Sequence, residues 1–580
     1  MFVMSLIRLS APGLALQCWA SEGARRVRNR AAMQMRCIGN LTSGNVPKAE
    51  SIEMVERDFA NPAVAFKSKT FRELALAWCT VQAYSCDPIV RHSVHLYDWS
   101  VKILGSRLAH LLLKKTLLAH FCAGEDSQDI LPQVRKLARH NVGGILENCA
   151  EALHLASTDP SGICEEIVGG PMSSRSYDYM IEARCDAYTD IVRSTVQAVK
   201  DVSLDGFASI KLSGLGNPQL LERLSRCLSE RCRLYKRLSG GDDIAAEPFY
   251  VMDRTSEMDF DMFKTGWFKI FDDTSEAEVQ SMFQAMDADA DGLINYLDWS
   301  STVTLWEIKK SVRRCKHRGD MHHATLNEEE LQLYGKMLRR VQRIIDLAQE
   351  LGVCVMIDAE QTAIQPAIDQ ITISMQRMYN TGDLPLVFGT YQTYLKGMPL
   401  RVQRDLQRSR REGWHFGATL VRGAYMPIER ENAERRGLES PICEGYEETE
   451  DNFHRAIDSV LEHMVEAGKG PGGAAAAEVI VATHNRGSIE RTIRKMADLG
   501  VSQDRVGFGQ LMGQADHLTF VLGKHGYRVY KTVPYGPVDE IVPYVVRSMQ
   551  ENRTRLGSPW AMAVERQMLG QEVARRLRPF

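Results

Sequence analysis

"GVCVMIDAEQT", residues 352–362, starts as an apolar run of strand length and stops on two carboxylates, Asp358 and Glu360. An unpaired buried charge is costly, so these acids need an open edge or cationic partners. The same rhythm recurs along the chain. "FASIKLSGLG" (from Phe207), "LPLVFGTYQ", "GATLVRGAY", "EVIVATHNR", "DRVGFGQLMG" and "GYRVYKTVPYG" are short apolar runs that turn polar or glycine-rich, with helical stretches between them. Strands alternating with helices predict a parallel sheet. In such sheets functional residues gather at the carboxyl ends of the strands. Lys211, Asp358, Arg422, His484 and Gln510 all stand at such ends.

Repeated units with little antiparallel signal favour an α/β fold closed as a (β/α)8 barrel. An open doubly wound sheet is the rival, and it would be favoured by a dinucleotide-binding turn. The nearest candidate, "GFGQLMG" at Gly507–Gly513, has its last spacing one residue too long. It also lacks the acid expected about 20 residues on. Residues 60–155 read as mostly helical: "FRELALAWCTVQAY" and "SRLAHLLLKKTLLAHF" place apolar residues three and four apart. The predicted organisation is a leader over 1–45, an N-terminal helical region over 55–170, a barrel over 176–240 and 330–575, and an insertion over 241–329.

Inside the insertion, "MDADADGLINYLDW" has the spacing of an EF-hand calcium loop over 287–298. Asp287, Asp289 and Asp291 alternate, Gly292 turns the chain, Leu293 offers its carbonyl and Asp298 closes the loop at the twelfth position. Asp there is shorter than the usual Glu and reaches an ion less easily. No second loop is evident, so a weak calcium site and a loop that keeps only the shape both stay open.

The first 50 residues carry six Arg and one Lys against Glu22 and Glu50 alone, mixed with Ser, Ala and apolar residues. That is the pattern of a mitochondrial transit peptide. The chain as a whole is 44% apolar and 25% charged with a formal net charge of −3, which gives no global sign of nucleic-acid binding. No run reaches the ~20 apolar residues of a membrane helix. The 13 cysteines form no Cys-x-x-Cys pair and read as reduced core residues.

"DAEQT", "YQTYLK", "GATLVRGAY", "ATHN", "FGQLMG", "VYKTVPYGP" and "YVVRSMQEN" follow one another in an order and spacing that resemble the proline dehydrogenase family over residues 60–575. The resemblance implies a (β/α)8 barrel that binds FAD without a Rossmann turn, oxidises L-proline to 1-pyrroline-5-carboxylate and passes electrons to ubiquinone. It further implies peripheral contact with the matrix side of the mitochondrial inner membrane. By the same resemblance, Lys211 and Arg547 clamp the substrate carboxylate, and Asp358 sits beside flavin and clamp. Leu420, Ala424, Tyr425 and Tyr544 wall the ring. Gln392, Val421, Arg422, Gly423, Thr483, His484 and Glu551 contact FAD. Glu360 has a structural or a site role.

Three positions depart from the family pattern. Ser548 replaces the second of two adjacent arginines, which would cost roughly 1.5–3 kcal/mol of substrate binding. Thr419 stands where a basic residue is expected near the flavin. Thr532 replaces a tyrosine of proline-specific members and opens room for a 4-hydroxyl, which makes 4-hydroxyproline an alternative substrate. A third alternative, of a different class, is a catalytically weak, calcium-responsive binding protein.

Overall fold

The computed structural model describes residues 46–577 except 87, 90–91, 127, 150–178, 203–204, 242–248, 251–254, 304–314, 317–322, 469–476, 543 and 546–557. Eight parallel strands close a barrel in chain order. They are β1 (Gly143–Asn148), β2 (Phe207–Ile210), β3 (Cys354–Ile357), β4 (Val387–Gln392), β5 (Phe416–Val421), β6 (Ala477–Ala482), β7 (Val506–Leu511) and β8 (Arg528–Tyr535). Closure comes from β1 against β8, in register from Gly143–Tyr530 to Asn148–Tyr535.

The barrel follows the strand rhythm with one displacement. β1 falls inside the span read as the N-terminal helical region, so the barrel begins at Gly143 rather than at 176. Its "GGILEN" holds only two large apolar residues between glycines and polar residues, too short a run to stand out beside amphipathic helices.

Before β1 lie α1 (Ala49–Phe59), α2 (Phe71–Tyr84), α3 (Ser93–Leu104), α4 (Ser106–Lys115) and α5 (Leu131–Ala138). Next come α6 (Tyr179–Val202) and α7 (Pro218–Leu238), then the insertion with α8 (Phe260–Ile270), α9 (Glu276–Met286) and α10 (Tyr296–Thr302). The outer layer is completed by α11 (Glu328–Leu351), α12 (Gln365–Tyr379), α13 (Met398–Glu412), α14 (Met426–Arg435), α15 (Tyr446–Gly468), α16 (Arg486–Leu499), α17 (Asp516–Lys524) and α18 (Ser558–Leu577). The insertion has its own core of Phe263, Trp267, Phe271, Phe283 and Trp299 against the end of α7. Among the described residues no helix is long and apolar enough to cross a membrane.

Alternation along each strand sends one set of side chains into the lumen. Ile145, Phe207, Cys354, Met356, Phe388, Ile480 and Tyr530 fill it as one buried cluster. Phe207 meets Phe388 and Tyr530 edge-on, with centroids 5.0 and 5.2 Å apart. At the amino end, Arg528 is buried between Glu478 and Asp205. These groups serve stability, as expected at that face.

A second buried ion group ties the chain ends to the barrel. Asp516, at the start of α17, accepts Lys69 at 2.7 Å and Lys531 of β8 at 2.8 Å. Glu565 of α18 accepts the backbone N–H groups of Ala515 and Asp516, both at 2.9 Å. Between its two ammonium neighbours the Asp516 carboxyl titrates far below the usual range, against the opposing effect of burial. Asp516→Asn leaves both lysines short of their counter-charge, a loss of the order of 3–5 kcal/mol. Urea unfolding is expected to show a clear fall in midpoint, and an unchanged midpoint contradicts this role.

Candidate active site

The lumen opens at the carboxyl ends of the strands. There Lys211, Asp358, Val421, Ala482, His484, Leu511 and Thr532 are each partly exposed, while the cluster beneath them is buried. Lys211 directly follows β2, and its ammonium bonds Glu147 of β1. Tyr544 donates its hydroxyl to the other oxygen of Glu147 at 2.9 Å, and the Lys211 ammonium lies 5.8 Å from the Tyr544 ring centroid. Asp358 directly follows β3 and accepts the Ser209 hydroxyl at 2.6 Å. Burial raises the Asp358 carboxyl to about 7; Lys211 pulls it down and Glu147 pushes it up.

Glu147 is the site residue that the sequence reading missed. Its signal was present, since an acid follows a short apolar run there as in "MIDAE". Glu360 has a bracing role. Its carboxylate accepts the Ser213 backbone N–H at 3.1 Å, its own N–H donates to Gln365 at 2.6 Å, and its carbonyl accepts the Gln392 amide at 2.8 Å. It holds the β2, β3 and β4 ends together.

The expected cofactor residues occupy the β4–β7 side. Gln392 is buried, and its side-chain oxygen accepts from the Ala424 N–H at 3.4 Å. Gly423 has φ +138°, and a Cβ there would lie 2.4 Å from the Tyr394 ring, so only glycine fits that turn. Arg422 donates to Thr483 at 2.6 Å and to Ser488 at 2.9 Å, pairs with Glu450, and stacks 4.3 Å from the Phe453 centroid. The Leu511 N–H donates to His484 Nε2 at 3.1 Å, and burial lowers the imidazole to about 4, so the ring is neutral at physiological pH. Tyr425 is partly exposed just before α14.

Thr419 faces the lumen beside Thr390, and both hydroxyls are buried with no hydrogen-bond partner among the described residues. Leu420 differs from expectation: it is fully buried in the core that joins the barrel to its helices. Strand alternation gives Thr419 and Val421 to the lumen and Leu420 to the outer layer. Arg547, Ser548 and Glu551 lie outside the described residues.

In the insertion, carboxylate oxygens of Asp287, Asp289 and Asp291 lie within 4.8 Å of one another. Asp298 is turned inward, bonded to Arg411 of α13, and the same guanidinium lies 3.3 Å from Asp289. The loop also has a backbone bridge partner that the sequence did not reveal. Met258 and Ile294 exchange two backbone hydrogen bonds, of 3.0 and 2.8 Å. Acids alternate around Met258 as well, at Glu257, Asp259 and Asp261, but Asp259 and Asp261 serve as the cap and first turn of α8 and no glycine turn follows them.

A family model for proline dehydrogenase matches residues 254–558, which spans both the mouth residues from Asp358 on and the insertion. The chain belongs to the proline dehydrogenase family. Human "Proline dehydrogenase 1, mitochondrial" is 36% identical over 561 residues, covering 90% of each chain. Its bovine counterpart is 33% identical, covering 90% of this chain and 89% of its own. Bovine "Hydroxyproline dehydrogenase" is 27% identical, covering 88% of this chain and 92% of its own.

The raised Asp358 carboxyl has a consequence for stability. From about pH 4, where the unfolded carboxyl loses its proton, to about 7, the folded state alone retains it. Stability from this residue therefore falls as pH rises through that window. In Asp358→Asn the contribution is absent, so the variant is expected to gain melting temperature relative to wild type between pH 5 and 8. A constant difference contradicts the buried-acid assignment.

Proposed function

We propose that the chain oxidises L-proline to 1-pyrroline-5-carboxylate, with FAD as resident acceptor and ubiquinone as onward acceptor, on the matrix side of the mitochondrial inner membrane. The observation that carries this reading is the Lys211 ammonium held at the barrel mouth by Glu147, beside Asp358 and Tyr544. Similar curated relatives are named as mitochondrial proline dehydrogenases, and the basic segment over 1–45 reads as the leader.

The mouth fits a flavin. The unpartnered Thr390 and Thr419 hydroxyls leave polar capacity in a buried wall, and an amide, a neutral imidazole and a guanidinium border it. Gln392, Thr419, Val421, Arg422, Gly423, Thr483, His484 and Glu551 would hold the cofactor. Bound there, FAD supplies the two-electron acceptor for the hydride from the ring carbon beside nitrogen. Lys211, with Arg547, binds the substrate carboxylate by charge-assisted hydrogen bonds. Glu147 and Asp358 keep that cation in place. Tyr544 and Tyr425, with Ala424, shape the ring site and exclude water. The substrate nitrogen must lose a proton before the hydride leaves, so turnover is expected to rise with pH.

Thr532 favours 4-hydroxyproline as a second substrate, because it is partly exposed in the lumen above Tyr530. Steady-state assays with FAD-loaded protein and a soluble ubiquinone analogue test both readings. Proline is expected to give the higher kcat/KM, with measurable hydroxyproline turnover. Thr532→Tyr is expected to lower hydroxyproline turnover at least about tenfold relative to proline, by the loss of one buried hydrogen bond and of space. Colourless protein, inert to both amino acids, overturns the proposal.

For the loop over 287–298 the ligand set does not fit calcium as it stands, since Arg411 already engages Asp298 and approaches Asp289. We infer a structural clasp between the insertion and α13, with calcium competing only at ~1 mM or above. Calorimetry is expected to show no binding at micromolar calcium and tighter binding in Arg411→Gln. Micromolar affinity in the wild type contradicts the clasp.

A further inference from the structure

Among the described residues, the largest concentration of exposed apolar side chains lies on the hairpin of α3 and α4. Leu96, Trp99 and Ile103 project from α3, and Leu108, Leu111 and Leu112 from α4; Trp99 is 66% and Ile103 76% exposed. Their spacing of three and four residues gives each helix a continuous apolar outer face. Between Ser93 and Lys115 the hairpin carries Lys102, Arg107, Lys114 and Lys115 against Asp98 as its sole acid. All four basic side chains are exposed, and Lys114 is paired with Glu125 at 2.7 Å.

We infer that this hairpin seats on an anionic lipid surface, with its apolar face in the interfacial region and its basic side chains on the headgroups. The inference rests on the quinone-linked reading above. Helices of 12 and 10 residues are too short to span a bilayer, but an amphipathic basic helix is suited to lie in its plane. A second copy of the chain is the poorer occupant. A symmetric contact would set the basic rim of one face against that of the other.

The position relative to the site supports the same occupant. Tyr97 of α3 donates to Asp539 at 3.1 Å, and Tyr97 and Leu113 pack against the apolar cluster that includes Val538, Ile541, Val542 and Val545. Tyr544, in the same segment after β8, bonds Glu147 at the mouth. The hairpin is thus one packed layer from the mouth residues Tyr544 and Glu147.

Flotation of the full FAD-loaded chain with vesicles tests the inference. One vesicle set is phosphatidylcholine alone; the other contains about a third phosphatidylglycerol. Wild type is expected to float with the anionic vesicles and to be released by salt. Trp99→Glu, Ile103→Glu and Leu111→Glu together are expected to reduce flotation at least about tenfold. Leu577→Glu, at an exposed apolar residue elsewhere, leaves it unchanged. The milder pair Trp99→Ser and Ile103→Ser guards against misfolding and is expected to reduce flotation too. Wild type that stays unbound, or hairpin variants that float as well as wild type, overturn the inference. So does a wild-type dimer that the triple variant converts to monomer. Anaerobic flavin reduction by proline in vesicle-free buffer separates the two readings. It is expected to be the same in wild type and the triple variant; its loss in both, with flotation intact, counts against the site reading alone.

Discussion

One half-buried cation organises the mouth of the barrel. Lys211 is drawn to Glu147, and the charge of Asp358 is felt by both. A lone ammonium or a lone carboxylate would be expensive at this depth. Together they are tolerated, and the remaining polar atoms are taken up by Ser209 and Tyr544. The cost of separating these charges fixes the ends of β1, β2 and β3 relative to the segment after β8. A small zwitterion suits such a place. Its carboxylate meets an ammonium already oriented, and its ring meets tyrosine faces.

The rest of the fold keeps that mouth rigid and open. The lumen below is filled by aromatic and apolar side chains, so the hollow has a floor. Arg528 secures the opposite end, and Asp516 fastens the amino- and carboxyl-terminal helices to β8. Glu360 braces three strand ends with its backbone and carboxylate. The insertion stands apart, with its own core and a loop whose positive charge is supplied by Arg411.

Much of this was legible in the residues. Strand-length apolar runs that end in Lys, Asp, Arg or His mark barrel mouths, because only there can such side chains follow a buried run. What stayed hidden depended on distant parts of the chain. "GGILEN" is a weak strand alone and gains its stability from two neighbours, β2 and β8. With β1 unseen, Glu147 could not be paired with Lys211. Leu420 falls on the outer face of β5, and a motif taken as a block hides the alternation that assigns its residues to opposite faces. The Met258 partner of the EF-hand-like loop is a single backbone bridge, too short to read as a strand from the sequence.

The most direct measurement is an anaerobic titration of flavin absorbance with L-proline, comparing wild type with Lys211→Met. If Lys211 anchors the substrate carboxylate, wild type bleaches readily, while the variant retains its flavin and requires roughly 10- to 100-fold more proline, the value of a charged hydrogen bond. Bleaching of the variant at the wild-type concentration, with flavin equally bound, would contradict the anchoring role of this cation.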